Sequence, residues 1–231
     1  MSSLYLIRHG QASFGAADYD VLSDLGIKQS ADLGKYTAER PVKFDAVYTG
    51  PRKRQIDTAQ HMFDAARSHG LDHPEPVMLE DFDEYPAFEL IDYFMPIVSK
   101  SDPEISAALA NNADAKTMDR LLKQVLTRWA TGELVCDELE SFAHFENRVL
   151  RGLRHVMETE GGQRTVAIVT SGGPISVAMK HTLDLPSHQT MRVGWTIANS
   201  SMTWFRYRQD EMTLHTFNNV EHLDDPSVTY R

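Results

Sequence analysis

The first candidate site is a short polar segment that follows an apolar run near the start of the sequence. Leu4-Tyr5-Leu6-Ile7 runs directly into Arg8, His9 and Gly10. An arginine can bind two phosphate oxygens while a neighbouring neutral imidazole, whose pKa lies near neutrality, attacks phosphorus. The pair Arg8-His9 therefore suits phosphoryl chemistry. Taken alone, a surface ion-pairing role is the simpler interpretation of so short a motif.

Two later segments share this arrangement of strand, turn and helix. Gly50-Pro51 follows a predicted strand, and Arg54 then lies in a predicted first helical turn within a basic trio in an otherwise acidic chain. Ser171 and Gly172-Gly173 follow another predicted strand, where the free amides of a helix start can bind phosphate oxygens. A solvated basic turn and an ordinary glycine turn are the alternatives. The joint pattern predicts three strand ends that converge on one anion-sized site.

Apolar runs and turn residues predict the elements that position these segments. Three short apolar runs predict buried strands, and two later alternating runs predict further strands; these lie at Leu4–Ile7, Ala46–Thr49, Thr165–Thr170, Asn199–Tyr207 and Met212–Phe217. Helices are predicted from a Ser23 cap to about Glu39 and from Pro174, taken as the first helical residue, to about Leu183. A further helix is predicted after Pro51, where apolar residues recur at helical spacing: Ile56, Ala59, Met62, Phe63 and Ala66. In the first helix, Ile27 and Ala31 are one turn apart.

The middle of the chain has a different pattern. From about Glu84 to Gly161, apolar residues recur at helical spacing without a convincing strand. The prediction is an α/β fold with a mostly parallel sheet and helices on both faces. Residues 1–231 form one domain in this interpretation, with a helical cap insertion at about 84–161.

The composition limits the classes of partner. A net charge of −10 over 231 residues argues against a nucleic-acid or anionic-membrane surface but allows a small anion in a local cationic pocket. No apolar stretch is long enough to span a bilayer, no leader is recognisable, and no Cys/His cluster has zinc spacing. A cytoplasmic protein with no nucleic-acid or membrane partner is expected, and an apolar face of the insertion could serve a homodimer.

Together, the segments resemble the histidine phosphatase superfamily, which is also called phosphoglycerate mutase-like. Arg8-His9-Gly10 matches the RHG element of the family, and residues 48–59 resemble its S-P-x-x-R-x-x-x-T-A element. Three further stretches are similar to other family elements: Asp20 to Gln29, Glu140-Ser141 through Arg148, and Asn199 to Thr203. The resemblance covers most of the chain.

The resemblance implies a mechanism and a set of roles. His9 would attack the phosphoryl group and form a phosphohistidine, which water or a second acceptor then discharges. Arg8 and Arg54 would neutralise charge on the transferred oxygens, with Ser171 and Gly172 completing the phosphate site. No metal or other cofactor is implied.

A carboxylic acid would protonate the leaving alcohol and later activate water. The leucine-x-acid spacing of the family selects Asp81, whereas a register based on the aromatic Tyr85 favours Glu84. Glu80 is the third alternative. Partial burial would raise the pKa of the working acid, and sequence does not show burial.

The sequence departs from the family pattern at one position. The family usually has a second histidine before Gly172-Gly173, and this chain has Ser171. A serine hydroxyl donates one hydrogen bond but carries no charge, which predicts slower turnover. His215 or His222 is an alternative source of a second imidazole.

Three functions follow from these residues. The first is hydrolysis of a small phosphomonoester through phosphohistidine on His9. The second is a phosphoglycerate-type mutase, in which a sugar-acid acceptor replaces water. The third, motivated by Ser171, is a phosphate-binding or interaction protein with weakened catalysis.

Overall fold

The computed structural model describes residues 2–13, 20–40, 42–111, 114–209 and 211–230. Six strands and eight helices are formed by these residues: β1 (Ser2–Arg8), α1 (Asp24–Glu39), β2 (Ala46–Thr49), α2 (Lys53–Ser68), β3 (Val77–Met78), α3 (Ala87–Ser101), α4 (Pro103–Ala110), α5 (Ala115–Ala130), α6 (Phe142–Glu160), β4 (Thr165–Thr170), α7 (Gly172–Leu183), α8 (Ser187–Gly194), β5 (Met202–Arg208) and β6 (Glu211–Asn219). Single 3₁₀ turns lie at Glu80–Phe82 and Asp225–Ser227.

The strands form one mixed sheet in the order β3-β2-β4-β1-β5-β6. The four strands β3, β2, β4 and β1 are parallel, while β5 and β6 extend the sheet in antiparallel fashion. Since the carboxyl ends of parallel strands share one edge, the turns after β1, β2 and β4 are neighbours. The predicted α/β class with a mostly parallel sheet is confirmed.

Alternate residues of the central strands face two separate cores, as the two-residue period of a strand requires. Leu4, Leu6 and Ile168 face the larger core, which includes residues of α3, α5, α6 and α7. Ile7 and Val169 face the smaller core, beneath α1 and α2. Helices therefore cover both faces of the sheet, which explains the continuous apolar runs of β1 and β4.

Ser23 caps α1 as predicted, because its side chain accepts a hydrogen bond from the Gly26 N–H at 3.1 Å. In α2 the predicted apolar residues Ala59, Met62, Phe63 and Ala66 are buried, whereas Ile56 is exposed. In α1, Ile27 is exposed too, so both isoleucines were wrongly assigned to the buried faces. The two helices instead approach closely through small residues. A Cβ at Gly34 would lie 2.0 Å from the Met62 carbonyl oxygen, so no larger side chain fits that contact.

Two further boundaries differ from the prediction. Helix α7 begins at Gly172, so Pro174 is its third residue; proline is tolerated there because first-turn amides have no partner within the helix. Strand β5 begins at Met202 rather than Asn199. Asn199 and Ser200 instead form a turn in which both donate hydrogen bonds to the His9 carbonyl oxygen.

Two elements escaped prediction. Strand β3 has only two residues, both exposed, and pairs with the end of β2. Helix α8 is short and lies against α5 and α7. In the described part of the chain, residues 84–161 contain α3 to α6 and no strand. No helix among the described residues has the length and apolar character needed to cross a membrane.

The buried His73 makes the free energy of unfolding depend on pH. Its buried ring packs against Phe44 and Phe63, and burial lowers its pKa to about 4. Because the unfolded state binds the proton more tightly, stability is complete above the ordinary histidine pKa and declines as the pH falls toward about 4. We expect His73→Phe to remove up to about 3 kcal/mol of this acid sensitivity. Denaturant unfolding across that pH range measures it, with exposed His181→Gln as control; an unchanged pH slope in His73→Phe would contradict the assignment.

Candidate active site

Backbone hydrogen bonds tie the three strand ends together at the carboxyl edge of the sheet. The His9 N–H donates to the Thr170 carbonyl oxygen at 2.8 Å, which joins the end of β1 to the end of β4. The Gly50 N–H donates to the Val169 carbonyl oxygen at 3.0 Å, which joins the end of β2 to the same strand. The segments carrying His9, Arg54 and Ser171 are therefore adjacent.

His9 is buried, and each nitrogen of its ring has a hydrogen-bond partner that fixes the orientation of the ring. Nδ1 lies 2.7 Å from the Gly10 carbonyl oxygen, and Nε2 lies 3.1 Å from Nε of Arg54. A carbonyl oxygen can only accept and a guanidinium can only donate, so Nδ1 carries the hydrogen and Nε2 presents its lone pair. Burial, together with the charges of Arg54 and Arg8, holds the pKa of His9 well below its usual range. The imidazole is neutral and nucleophilic at Nε2.

Arg54 is a buried cation held from two sides. Its Nε donates to the His9 ring, and its Nη1 donates to Asp20 Oδ1 at 2.6 Å. The Thr58 hydroxyl donates to the Arg54 carbonyl oxygen at 2.6 Å and accepts from the Gly10 N–H at 3.0 Å. Helix α2 thus fixes both the arginine and the loop after β1, which agrees with the predicted convergence of Arg54 and His9.

Arg8 lies beside this pair at the end of β1. Its Nη1 donates to the carbonyl oxygens of Ile197 and Tyr230, the second at 3.2 Å. Arg8, Glu84, Gly172, Gly173, Trp195 and Tyr230 are among the residues that line a cavity of about 90 Å³. Two of the four predicted phosphate ligands, Arg8 and Gly172, therefore line the same opening as Glu84, whereas Arg54 and Ser171 are not among its lining residues.

Glu84 is the carboxylate that faces this cavity. Its Oε2 accepts from the Gly173 N–H at 3.1 Å, and its Oε1 accepts from the Tyr85 N–H at 3.0 Å. Burial raises the pKa of Glu84, although the Gly173 amide and Arg54 act in the opposite direction. A raised pKa keeps a proton available for transfer.

The other two candidate acids point elsewhere. Asp81 forms an ion pair with Arg151 of α6 at 2.6 Å, and its Cβ lies against Gly152. Glu80 is exposed. The geometry therefore favours Glu84 over Asp81. Asp81 lies within the 3₁₀ turn at Glu80–Phe82, whereas Glu84 lies beyond it, after the extended backbone of Asp83.

The loop that carries Glu84 is held by a residue of the E-S…R stretch. Arg148 forms a two-point ion pair with Glu140, at 3.0 and 2.9 Å. Its Nη1 also lies 3.1 Å from the carbonyl oxygens of Glu80, Asp81 and Asp83. Arg148 thereby ties three backbone carbonyl groups of this loop to α6, which orients the backbone leading into Glu84.

Ser171 is fully buried at the N-cap of α7, and its hydroxyl accepts a hydrogen bond from Gln55 Nε2 at 2.8 Å. Gln55 is itself buried, and its side-chain oxygen accepts from the Arg52 N–H at 3.0 Å. Gln55 was not predicted as part of the site. Its signal is its place next to Arg54 on α2, combined with a hydroxyl on the facing strand end.

Neither alternative histidine reaches the His9 ring. His215 packs edge-on against Trp204 on β5, with ring centroids 3.9 Å apart. His222 Nε2 lies 2.8 Å from the Ser200 hydroxyl. The Ser200 N–H in turn donates to the backbone oxygen of His9 and not to its ring. Among the described residues, no group of three or more histidine, cysteine, aspartate or glutamate side chains could hold a metal ion.

A substitution at Gly173 tests whether the Glu84 carboxyl must keep its position. A Cβ at Gly173 would lie 1.9 Å from Glu84 Oε1 and 2.8 Å from the Tyr85 ring. We expect Gly173→Ala to displace the carboxyl and lower kcat by about 100-fold, the lower bound for losing a positioned acid. Steady-state kinetics checks this, with Gly162→Ala, where a Cβ meets nothing within 4 Å, as matched control. Wild-type kcat in Gly173→Ala would show that this contact is not required.

Comparisons with known proteins agree with this geometry. A family model described as histidine phosphatase superfamily (branch 1) matches residues 4–89 and 103–220. No curated protein matches the chain.

Solved structures similar to the chain include three enzymes. A phosphoserine phosphatase mutant from Entamoeba histolytica, in complex with phosphoserine, is 20% identical; the match covers 96% of this chain and 100% of that chain, with a TM-score of 0.64. A phosphoglycerate mutase from Bacillus anthracis is 17% identical over 96% and 94% of the two chains, with a TM-score of 0.64. A mycobacterial glucosyl-3-phosphoglycerate phosphatase is 19% identical over 94% and 98%, with a TM-score of 0.61. At these identities the similarity establishes the fold.

Proposed function

Because the chain belongs to the histidine phosphatase superfamily (branch 1), we propose that it hydrolyses a small phosphomonoester through a phosphohistidine on His9. The observation that carries this proposal is the 3.1 Å contact between His9 Nε2 and Arg54 Nε. It places a neutral nucleophilic nitrogen directly against a buried guanidinium. A phosphoryl group bound by that guanidinium would lie within reach of Nε2.

In the first step, Nε2 of His9 attacks phosphorus, and the bond between phosphorus and the alcohol oxygen breaks. Glu84 gives its proton to the departing oxygen, which leaves as the alcohol. In the second step, Glu84 takes a proton from water as that water attacks phosphorus. The bond between Nε2 and phosphorus then breaks, inorganic phosphate is released, and both side chains return to their starting states.

The remaining site residues stabilise charge. Arg8 and Arg54 would pair with the oxygens of the phosphoryl group, and the Gly172 amide at the start of α7 would donate to one of them. Ser171 would supply a hydroxyl from the base of the site, with its orientation set by Gln55. Phosphatases and a mutase among the similar folds support this class of reaction.

The experiment is an assay of purified protein on a generic aryl phosphate and on phosphoglycerates. Release of inorganic phosphate from the aryl ester is expected. Interconversion of phosphoglycerates without phosphate release would indicate a mutase instead. Binding of phosphorylated ligands by calorimetry, without turnover on either substrate, would indicate the phosphate-binding protein that the Ser171 substitution allows.

A further inference from the structure

A second cavity lies next to the candidate active site, between α4, α5 and α8. Its volume is about 970 Å³, and Ile105, Lys116, Arg120, Lys123, Arg192 and Trp195 are among the residues that line it. We call it the cationic groove. Trp195 also lines the small cavity that contains Arg8 and Glu84, so the two spaces meet at this indole.

Helix α8 forms the wall between the two spaces. His188, Arg192 and Trp195 follow the spacing i, i+4 and i+7 and line the cationic groove. Met191 and Gly194, on the other side of the same turn, line the small cavity. The two spaces therefore share α8 and Trp195 as a common boundary.

The sizes of the two spaces differ in a way that bears on the substrate. Binding sites for organic ligands usually measure about 300–1,000 Å³. The small cavity, at about 90 Å³, falls below this range, whereas the cationic groove, at about 970 Å³, lies within it. The small cavity, lined by Arg8 and Glu84, has room only for a small group, and the larger part of an organic substrate needs a space of the size of the groove.

The charge of the groove is cationic in a chain with a net charge of −10. Of the residues that the structure describes, five cations and two carboxylates line it. Three of the cations are already paired with carboxylates, namely Arg120, Lys123 and Arg128, and the remaining carboxylate, Asp102, caps α4. Among the described residues, neither Lys116 nor Arg192 forms an ion pair. Lys123 lies 5.5 Å above the Trp195 ring, which combines a cation with a flat apolar surface at the junction.

We propose that the cationic groove binds the alcohol half of the substrate, and that this alcohol carries a second anionic group, a phosphate or a carboxylate, at its far end. The proposal rests on the proposed phosphatase function. The phosphoryl group lies at His9, the connecting chain passes Trp195, and the second anion pairs with Arg192 and Lys116. The product released from the groove is then an anionic alcohol.

The test uses linear alkyl phosphates of increasing length whose far end is a methyl group, a carboxylate or a second phosphate. At the chain length that spans the two spaces, we expect wild-type kcat/KM to be about tenfold or more higher for an anionic end than for a methyl end. Arg192→Ala and Lys116→Ala should each reduce that preference, and their combination should abolish it. Arg192→Lys should retain most of it.

Two controls separate the groove from the chemistry. The first control is internal: the preference is the ratio of kcat/KM for anionic-ended and methyl-ended substrates within one variant, so a general loss of activity in Arg192→Ala or Lys116→Ala cancels from it. Arg67→Ala, which removes an exposed arginine of α2, should keep the anion preference. Melting temperatures of all variants confirm that they fold.

The carboxylate-ended and phosphate-ended substrates show which anion the groove prefers, and a preference for either one over the methyl end supports the proposal. Hydrolysis of methyl-ended substrates without any anion preference, or a preference that survives in the double variant, would overturn the groove assignment and leave the phosphatase function standing. Absence of turnover on every alkyl and aryl phosphate would instead refute the phosphatase function and the groove proposal with it.

Discussion

Replacement of His9 by alanine is expected to lower kcat/KM for aryl phosphate hydrolysis by about 10⁴-fold or more. The substitution removes the only atom proposed to bond to phosphorus, and a water molecule in its place lacks the fixed position against Arg54. The His9 backbone, which bonds Thr170 and Ser200, is retained. The fold should therefore persist while the reaction stops.

The matched control is His215→Ala, because His215 packs against Trp204 on β5, away from the strand ends that carry His9. Its activity should be within a few-fold of wild type. Initial rates on an aryl phosphate, together with a melting temperature for each variant, provide the measurement. Substantial turnover by a folded His9→Ala protein would eliminate this residue as the nucleophile.

Glu84→Gln has the second largest expected effect. The amide keeps the size of the carboxyl and can accept one of its two backbone hydrogen bonds, but it cannot transfer a proton, so kcat for an alkyl phosphate should fall by about 10²–10⁴-fold. An aryl phosphate with a good leaving group needs less protonation in the first step. The loss should consequently be larger for alkyl than for aryl esters.

The pH profile gives Glu84→Gln a second, independent readout. Since Glu84 must be protonated to act as acid and burial raises its pKa, activity should be full below that raised pKa and decline as the pH increases through it. His9 must be unprotonated, and its lowered pKa keeps it so down to acidic pH. The alkaline decline should disappear in Glu84→Gln.

Asp81→Asn is the comparison that decides between the two carboxylates. It removes a charge of the same type three residues earlier, from a side chain that pairs with Arg151. We expect activity within a few-fold of wild type and an unchanged alkaline decline. If Asp81→Asn removed the decline and Glu84→Gln did not, the acid would be Asp81, as the leucine-x-acid spacing suggests.

The sequence was sufficient to predict the elements that local signals determine. β2 and β4 are continuous apolar runs ended by glycine turns, and α1 begins at the predicted Ser23 cap, so their bounds agree with expectation. β3 was missed because two exposed residues have no periodicity, and their pairing depends entirely on β2. Ile27 and Ile56 were wrongly assigned to buried faces because α1 and α2 meet at Gly34 by close backbone approach, which hydrophobicity does not encode.

The site could be predicted in type but not in detail. Arg8, His9 and Arg54 each follow or begin a recognisable element, so their convergence was predictable from topology. The choice among Glu80, Asp81 and Glu84 depends on which of them lie within the 3₁₀ turn and which lies beyond it, and a run of carboxylates does not show this. The position of Gln55 next to Arg54 marks it as a residue near the site, but its hydrogen bond to Ser171 joins two distant elements and could not be predicted from local sequence.

The most direct test of the central claim is detection of the phosphoenzyme. Wild-type protein mixed with substrate and quenched in base, where phosphohistidine survives, would be examined by mass spectrometry and by ³¹P NMR. The predicted result is one phosphoryl group on Nε2 of His9, since Nδ1 donates its hydrogen to Gly10, and none in His9→Ala. A phosphoryl group on another residue, or inversion at phosphorus that shows direct attack by water, would contradict the account.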